Sequence, residues 1–287
     1  MENDEGVLIL CLGHAYYGNM ATQLARSIKH LTPDVNITCA YYGDVLSHNR
    51  ELPFDQLVEV PKEYFTTEGM PDFVKAKTYL YELSPYKKTI FIDADVIWLP
   101  QKPITDLFNE FKDTKITFAN RGKEKLSEAK DGFLHWAKPS DIKSVYGEDG
   151  WLYNLASEFI YWQRDKKIAK FFKIAQEVYS DPKIPYKKFG THLPDELAFE
   201  IALIKTKIEL HASPFVPFYW EQFERKAMKV QEMYTKYFGY SLGGNVNTGQ
   251  VANIYNNLAN HYNKKFGING YFPAKDKRAW LPERRTL

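Results

Sequence analysis

The sequence predicts an α/β fold with parallel strands, and three observations support this. An apolar run at 6–12, a helical pattern at 19–30 and a β-rich run at 35–42 form a strand–helix–strand unit, and such units build parallel sheets. Further apolar runs with strand character occur at 89–92, 115–119 and 158–162. The 287 residues are 44% hydrophobic and 26% charged, which suits one large domain with a well-filled core.

The other elements are predicted from the same periodicities. Apolar residues at helical spacing predict a helix over 72–83, which Pro85 closes. The stretch 120–150 is polar and mixed, so we expect a surface excursion there. Weaker patterns predict strands at 57–60 and 237–242 and helices at 166–179, 193–204 and 250–265. We expect a single domain over 1–250, with a C-terminal helix and basic tail at 251–287 packed on it.

The net charge of +2 is unevenly distributed along the chain. Residues 261–287 contain seven Lys or Arg against two acidic residues, and a basic segment of this kind suits an anionic ligand or partner. No apolar run reaches the roughly 18 residues of a membrane span. The acidic start of the chain does not resemble a secretory signal, and Cys11 and Cys39 lie in strand-like runs. We therefore expect a cytoplasmic protein with no transmembrane segment.

The most informative motif is Asp93-Ala94-Asp95, which follows the apolar run 89–92. Alternation along a strand directs the two carboxylates to the same side. Two converged carboxylates repel each other unless a cation lies between them, and carboxylate oxygens suit Mg²⁺ or Mn²⁺. Ligands of open α/β sheets bind at the carboxyl ends of strands. The motif therefore predicts a divalent metal site at Asp93 and Asp95.

The segment 77–99 resembles the glycogenin-like retaining glycosyltransferases of the family 8 type. The family has a Lys on a helix that ends in Leu-x-x-Tyr, and then an apolar strand followed by Asp-Ala-Asp. The matching residues in this sequence are Lys77, Leu83, Tyr86, Asp93 and Asp95. The segments 12–17 and 27–29 also resemble the opening of that family. The resemblance implies a GT-A fold, which is a Rossmann-like mixed sheet flanked by helices. It also implies transfer of a sugar from a nucleotide sugar, with UDP as the expected nucleotide and retention at the anomeric carbon.

The resemblance assigns donor-binding roles to residues near the two carboxylates. We expect Asp93-Ala94-Asp95 to bind the metal and, through it, the donor diphosphate. Tyr16 or Tyr17 is expected to stack on the nucleotide base, because a Tyr does so at this position in the family. His14 is expected to contact the diphosphate or the ribose.

Catalytic roles are expected for Lys77, Asp195 and Glu196. An ammonium can stabilise the charge on a leaving diphosphate without transferring a proton, which suits Lys77. Asp195-Glu196 resembles the Asp-Gln of the later acidic motif of the family, and we expect these residues near the reacting sugar. A carboxylate that opens a helix is also favoured by the helix dipole, which would be a structural reason for Asp195.

Three departures from the family pattern concern later segments. Ala156-Ser157-Glu158 stands where the family has Asn-Ser-Gly, and the segment 244–247 replaces Lys-Pro-Trp. Tyr240 stands at the place of the late His that ligates the metal in the family. The third metal ligand is therefore left open between Asn245, Asn247 and water.

Two other functions are compatible with these residues. A degenerate transferase that only binds a sugar nucleotide or a glycan would explain the missing His. A haloacid-dehalogenase-type phosphatase also carries Asp-x-Asp after an apolar strand, although Ile97 stands where that class has Thr or Val. For a transferase the acceptor is open between a glycan, a lipid-linked sugar, a protein and a hydroxymethylated DNA base. The basic C-terminus is the reason to include DNA, because Lys and Arg contact phosphates.

Overall fold

The computed structural model describes residues 4–47, 51–131, 136–188, 192–210, 214–220, 229–243 and 249–265. Its strands are β1 (Glu5–Cys11), β2 (Ile37–Tyr41), β3 (Gln56–Glu59), β4 (Thr66–Thr67), β5 (Met70–Pro71), β6 (Lys88–Asp93), β7 (Val96–Trp98), β8 (Ile116–Lys125), β9 (Trp151–Gln163), β10 (Phe218–Tyr219) and β11 (Gly239–Ser241). Its α-helices are α1 (Ala15–Leu31), α2 (Leu80–Leu83), α3 (Thr105–Glu110), α4 (Pro139–Tyr146), α5 (Lys166–Ser180), α6 (Asp195–Thr206), α7 (Val230–Lys236) and α8 (Gly249–Lys265). Among the described residues, 3₁₀ helices span Lys62–Phe65 and Lys75–Tyr79.

The chain forms two compact units, and each is assembled from three separate stretches. The first unit comprises the described residues of Met1–Glu5, Val60–Phe91 and Asp113–Val216, and the second those of Gly6–Glu59, Ile92–Lys112 and Pro217–Leu287. Neither unit is continuous in sequence, so the two are not domains joined end to end. The helix α8 belongs to the second unit, and the predicted division at 250 stays a prediction.

The second unit contains the parallel strands that the N-terminal periodicity predicted. β1 pairs with β2 and β2 with β3, both in parallel, so that Ile9 lies opposite Cys39 and Cys39 opposite Leu57. In a separate small sheet, β11 pairs in parallel with β10 and antiparallel with β7. The helix α1 packs against β7 and α8, and the Trp98 amide donates to Ser27 Oγ at 2.9 Å. These contacts fix α1 relative to the turn that carries Asp95.

The first unit is built around an antiparallel strand pair and two helices. β8 and β9 pair from Ile116 opposite Trp162 to Lys125 opposite Trp151. The helix α6 packs on β9 and on α5. Between these elements lies an aromatic cluster, in which ring centroids are 5.2 to 6.2 Å apart: Phe118, Phe171, Phe172 and Phe199. Its burial holds the start of α6, with Asp195 and Glu196, over the strand β9.

Parallel and antiparallel strand pairs flanked by helices confirm the predicted α/β class with a mixed sheet. The prediction for 120–150 was wrong, because β8 continues to Lys125 and α4 forms at Pro139–Tyr146. Polar residues on the exposed face of β8 hid the strand, and a half-polar strand is stable here because β9 pairs with it.

Two helices also differ from their predicted form. The segment predicted as a helix over 72–83 is a 3₁₀ turn followed by the short α2, and the Lys77 amide bonds to the Val74 carbonyl at 3.1 Å. The 3₁₀ turn still buries Ala76, and α2 buries Leu80 and Leu83, so the same apolar spacing serves both geometries. The helix α1 begins at Ala15 instead of residue 19. Tyr16 and Tyr17 therefore belong to its first turn.

Gly18 is required by the close approach of α1 to the turn at Val45. A Cβ atom at Gly18 would lie 1.9 Å from the Val45 backbone oxygen. We expect Gly18→Ala to lower the free energy of unfolding in urea by about 1–3 kcal/mol or more, because the backbone has to shift to relieve the overlap. The matched control is Asn19→Ala in the same helix, where the better helix former should cost nothing. Equal stability of Gly18→Ala and the wild type would show that the contact is not tight.

Candidate functional site

The predicted metal-binding carboxylates lie at one end of the second unit. Asp93 is the last residue of β6, and Asp95 lies in the turn before β7. Both side chains are partly exposed, whereas Ala94 between them is buried. The backbone oxygen of Asp95 accepts a hydrogen bond from the Leu242 amide at 3.0 Å. The turn is therefore fixed to the end of β11, and a small buried residue separates the two carboxylates.

Three aromatic residues predicted to bind the nucleotide lie together at the start of α1. The rings of His14 and Tyr16 are stacked with centroids 5.3 Å apart, and those of Tyr16 and Tyr17 are 4.4 Å apart. His14 is exposed, and Tyr16 and Tyr17 are partly exposed. Burial raises the pKa of the Tyr17 phenol, and a hydrogen bond with Tyr16 and the charges of Asp95 and Asp93 raise it further. Tyr17 thus lies within the field of both carboxylates.

The chemistry of this corner fits a hard divalent cation. Asp93 and Asp95 offer partly exposed carboxylate oxygens, and their combined negative charge is felt at Tyr17. In the part of the chain that the structure describes, no group of three or more His, Cys, Asp or Glu side chains is arranged to hold a metal. The candidate third ligands Asn245 and Asn247 lie outside the described residues, as does the basic tail from residue 266.

Tyr240, at the place of the metal-ligating His of the resembled family, is a core residue of β11. It is fully buried, and its ring packs against Tyr219 with centroids 5.8 Å apart. Its strand pairs with β7, where Tyr240 lies opposite Ile97. In this chain Tyr240 therefore packs in the core, at the position where the resembled family has a metal-ligating His.

The predicted catalytic residues form a second cluster, inside the first unit. The Lys77 ammonium lies 3.6 Å from Oδ2 of Asp195. It also donates a hydrogen bond to Ser157 Oγ at 3.2 Å, and Ser157 Oγ donates to Oε1 of Glu196 at 3.2 Å. Three predicted residues are therefore brought together, and Ser157 links two of them.

Glu196 has the most perturbed carboxyl of this cluster. Loss of solvent raises its pKa from 4.5 to about 8, and the neighbouring Asp195 charge adds to the rise, while Lys77 opposes it. Asp195 is 5% exposed, and its Oδ2 has no hydrogen-bond partner among the described residues. Two carboxylates thus share one ammonium, and loss of solvent and the Asp195 charge favour the protonated form of Glu196 by raising its pKa.

Ser157 joins this cluster through hydrogen bonds to two predicted residues, although sequence reasoning assigned it no role. The β8–β9 register moves from Phe118 opposite Ile160 to Ala119 opposite Ala156, so residues 157–159 bulge out of the ladder. A bulge of this kind re-aims side chains and is common beside active sites. Ser157 is 3% exposed, so its hydroxyl is committed to Lys77 and Glu196. The hydrogen bonds of Ser157 could not be predicted from the motif Ala156-Ser157-Glu158, because they depend on the bulge, and the bulge depends on how β9 pairs with β8.

A buried carboxylate, Asp72, supports the segments on either side of this cluster. It accepts hydrogen bonds from the Tyr179 hydroxyl and the Thr67 hydroxyl, each at 2.9 Å. His192 Nδ1 lies 3.4 Å from it, three residues before Asp195. Burial and then the Asp72 charge raise the pKa of Tyr179, so the phenol stays a hydrogen-bond donor. Asp72 therefore ties the turn that carries Lys77 to the segment leading into α6.

Three solved glycosyltransferase structures share this fold. The chain matches the galactosyltransferase LgtC in complex with donor and acceptor sugar analogs, with a TM-score of 0.55 and 15% identity over 89% of this chain and 95% of that one. An active-site mutant of LgtC matches with a TM-score of 0.52, again at 15% identity over 89% and 95% of the chains. The bifunctional glycosyltransferase WbbM matches with a TM-score of 0.54 and 13% identity, over 91% of this chain and 50% of that one.

These likenesses confirm the GT-A glycosyltransferase fold that the resemblance implied. No family model matches the sequence, and no curated protein matches it. Among the described residues no helix is long and apolar enough to cross a membrane.

Ser157→Ala should expose the energetic role of the hydroxyl. The substitution leaves Lys77 and Glu196 each without one hydrogen-bond partner in a buried place, so we expect the free energy of unfolding to fall by about 1–3 kcal/mol. Chemical denaturation measures this. Ser144→Ala is the control, because that exposed hydroxyl bonds only to the Asp141 carbonyl of its own helix. Equal small effects of both substitutions would contradict a linking role for Ser157.

Proposed function

We propose that this protein is a metal-dependent glycosyltransferase that moves a sugar from a nucleotide sugar, with UDP as the nucleotide, to an acceptor hydroxyl. The observation that carries the proposal is the Asp93–Asp95 pair at a strand end, with the Tyr17 phenol within its field and the Tyr16 ring 4.4 Å from the Tyr17 ring. The fold supports it, because LgtC, which shares the fold, was solved with donor and acceptor sugar analogs. The same likeness favours a transferase over a phosphatase.

Donor binding is assigned to the second unit. Asp93 and Asp95 would hold Mn²⁺ or Mg²⁺, which when bound would neutralise the charge of the donor diphosphate. Tyr16 and Tyr17 offer partly exposed rings at the first turn of α1, and a ring face suits stacking on a base. His14, exposed and stacked on Tyr16, offers ring nitrogens to the diphosphate or the ribose.

The reacting sugar is assigned to the cluster of Lys77, Asp195 and Glu196. In the reaction the bond between the anomeric carbon and the diphosphate oxygen breaks, and a bond to the acceptor oxygen forms. The diphosphate leaves with the electron pair and takes up the proton that the acceptor hydroxyl loses. The Lys77 ammonium stabilises the developing negative charge without giving up its proton. Asp195, as a carboxylate, would accept hydrogen bonds from sugar hydroxyls. Retention at the anomeric carbon is proposed because the sequence resembles the retaining glycosyltransferases.

A sugar-nucleotide binding protein without transfer is the second candidate. The observation that favours it is the burial of Tyr240 in β11 at the place of the metal-ligating His. The two functions differ in donor turnover. A binding protein would show Mn²⁺-dependent stabilisation by a nucleotide sugar, and no nucleotide diphosphate would be released with any acceptor tested, whether a glycan, a lipid-linked sugar, a protein or hydroxymethylated DNA.

Asp93→Asn and Asp95→Asn should abolish sugar transfer and the metal-dependent part of UDP-sugar binding. Each removes one of two charged oxygen ligands while keeping the size of the side chain. Thermal shift with a panel of nucleotide sugars, with and without Mn²⁺, measures binding, because a ligand of the native state raises the melting temperature. Release of UDP measures turnover. Asp106→Asn, at an exposed position of α3, is the matched control. Full activity of either variant would refute the metal assignment.

Lys77→Ala should lower turnover by about 10²–10³, the loss found when one preorganised charge-stabilising group is removed. The control is Lys75→Ala, because Lys75 Nζ donates to the backbone oxygens of Glu63 and Thr66 instead of to the cluster. Lys75→Ala should lower the melting temperature and leave turnover unchanged. Steady-state kinetics and melting curves of both variants separate the roles. Unchanged turnover with a lowered melting temperature for Lys77→Ala would make that residue structural.

A further inference from the structure

We propose that Asp195 and Glu196 form a carboxylate–carboxylic acid pair that shares one proton, carried on Oε2 of Glu196 while Ser157 occupies Oε1. The pair would present one negative charge to the reacting sugar instead of two. Its catalytic role rests on the proposed function, but its existence does not, because it belongs to the protein without ligands.

The hydrogen-bond order identifies the protonated atom. The Lys77 ammonium can only donate, so Ser157 Oγ accepts from it at 3.2 Å. The Ser157 proton is then directed to Oε1 of Glu196, also at 3.2 Å. Because Oε1 already accepts this proton, Oε2 is the oxygen that carries the acid proton. The carboxyl of Glu196 is within hydrogen-bonding reach of the Asp195 side chain.

The balance of charge requires a proton at this place. Asp195 is 5% exposed, and its Oδ2 lacks a hydrogen-bond donor among the described residues, with the Lys77 ammonium 3.6 Å away. A buried carboxylate oxygen without a donor is costly, and so is a second charge beside it. One proton on Glu196 removes a charge and supplies a donor to Asp195. The rise in the Glu196 pKa to about 8 agrees with this arrangement.

Other titratable groups lie on the elements that pack around α6. They include Asp195 and Glu200 on α6 itself, Lys77 on the 3₁₀ turn, Tyr179 on α5 and Glu158 on β9. Asp195 and Lys77 are the charges that act on Glu196 within the described residues. Tyr179 bonds to Asp72, and Glu200 accepts from the Tyr153 amide at 3.0 Å. At the far end of α6, Lys205 lies over the Tyr146 ring of α4, 5.8 Å from its centroid.

The decisive experiment is a ¹³C NMR titration of the ligand-free protein with labelled Glu carboxyl groups, assigned through Glu196→Gln. We expect the Glu196 signal to titrate near pH 8. Asp195→Asn should lower that midpoint by at least about one pH unit, because it removes the repelling charge. A wild-type midpoint near the ordinary value of about 4.3 would overturn the proposal. Neither result depends on whether the protein transfers sugar.

Stability gives a second measurement that does not require activity. A carboxyl with a raised pKa binds more protons in the folded state than in the unfolded state between the two pKa values. Stability from this group is therefore full below about pH 4.5 and is lost as the pH rises to about 8. The melting temperature of the wild type should fall relative to that of Glu196→Gln across this window. Parallel pH profiles would contradict a raised pKa.

Activity then tests the role of the pair. Gln keeps the carbonyl that accepts from Ser157 and offers an amide proton to Asp195, so Glu196→Gln should imitate the protonated acid at every pH. It should also lose the alkaline fall in kcat/KM near pH 8. Glu200→Gln, which replaces another buried carboxylate of α6, should keep that fall. Loss of turnover in Glu196→Gln at every pH would refute the role of a neutral acid.

Discussion

Carboxylates that are taken out of water must be matched by a cation or a proton, and this constraint governs both clusters of the protein. Asp93 and Asp95 keep partial contact with solvent, so a cation from solution can supply the missing charge. Asp195 is buried and has the Lys77 ammonium 3.6 Å away, and Glu196 follows it in the chain with a partly exposed side chain. Lys77 is the cation that acts on Glu196 among the described residues, and because one ammonium cannot neutralise two carboxylates, a proton supplies the remaining positive charge. The burial of Asp195 and the ammonium beside it therefore distinguish this pair from Asp93 and Asp95.

The backbone places these charges by local departures from regular structure. The bulge at residues 157–159 of β9 turns Ser157 towards Lys77 and Glu196. The 3₁₀ turn carries Lys77, and Asp72 holds that turn by accepting from the Tyr179 hydroxyl of α5. Irregular segments of this kind are stable only because regular elements surround them, and the Phe cluster between β8, α5 and α6 supplies that support.

The strands and helices with one clear apolar face could be predicted from the sequence, and so could the position of Asp93 and Asp95 at a strand end. The periodicity of 6–42 identified β1, α1 and β2 because each buries apolar residues at the spacing of its own geometry. The strand β8 was missed beyond residue 119, since its polar half is held by pairing with β9 and not by its own composition. Ser157 was missed for a related reason. Its role depends on a register shift, and single-sequence patterns carry no information about the partner strand.

The replacement of Gln by Glu in the acidic motif is a smaller change than its formal charge indicates. A protonated Glu and a Gln have nearly the same shape, and each offers one donor to Asp195 and one acceptor to Ser157. The burial and the repulsion that protonate Glu196 thus restore the neutral group that the resembled family has at this position. Glu and Gln differ at this position only above the pKa of Glu, where Glu loses its proton and becomes charged while Gln stays neutral. A motif that differs from the resembled one by one charge can therefore present the same neutral group below a threshold pH and lose it above, and the surroundings of one carboxyl in the fold set that threshold.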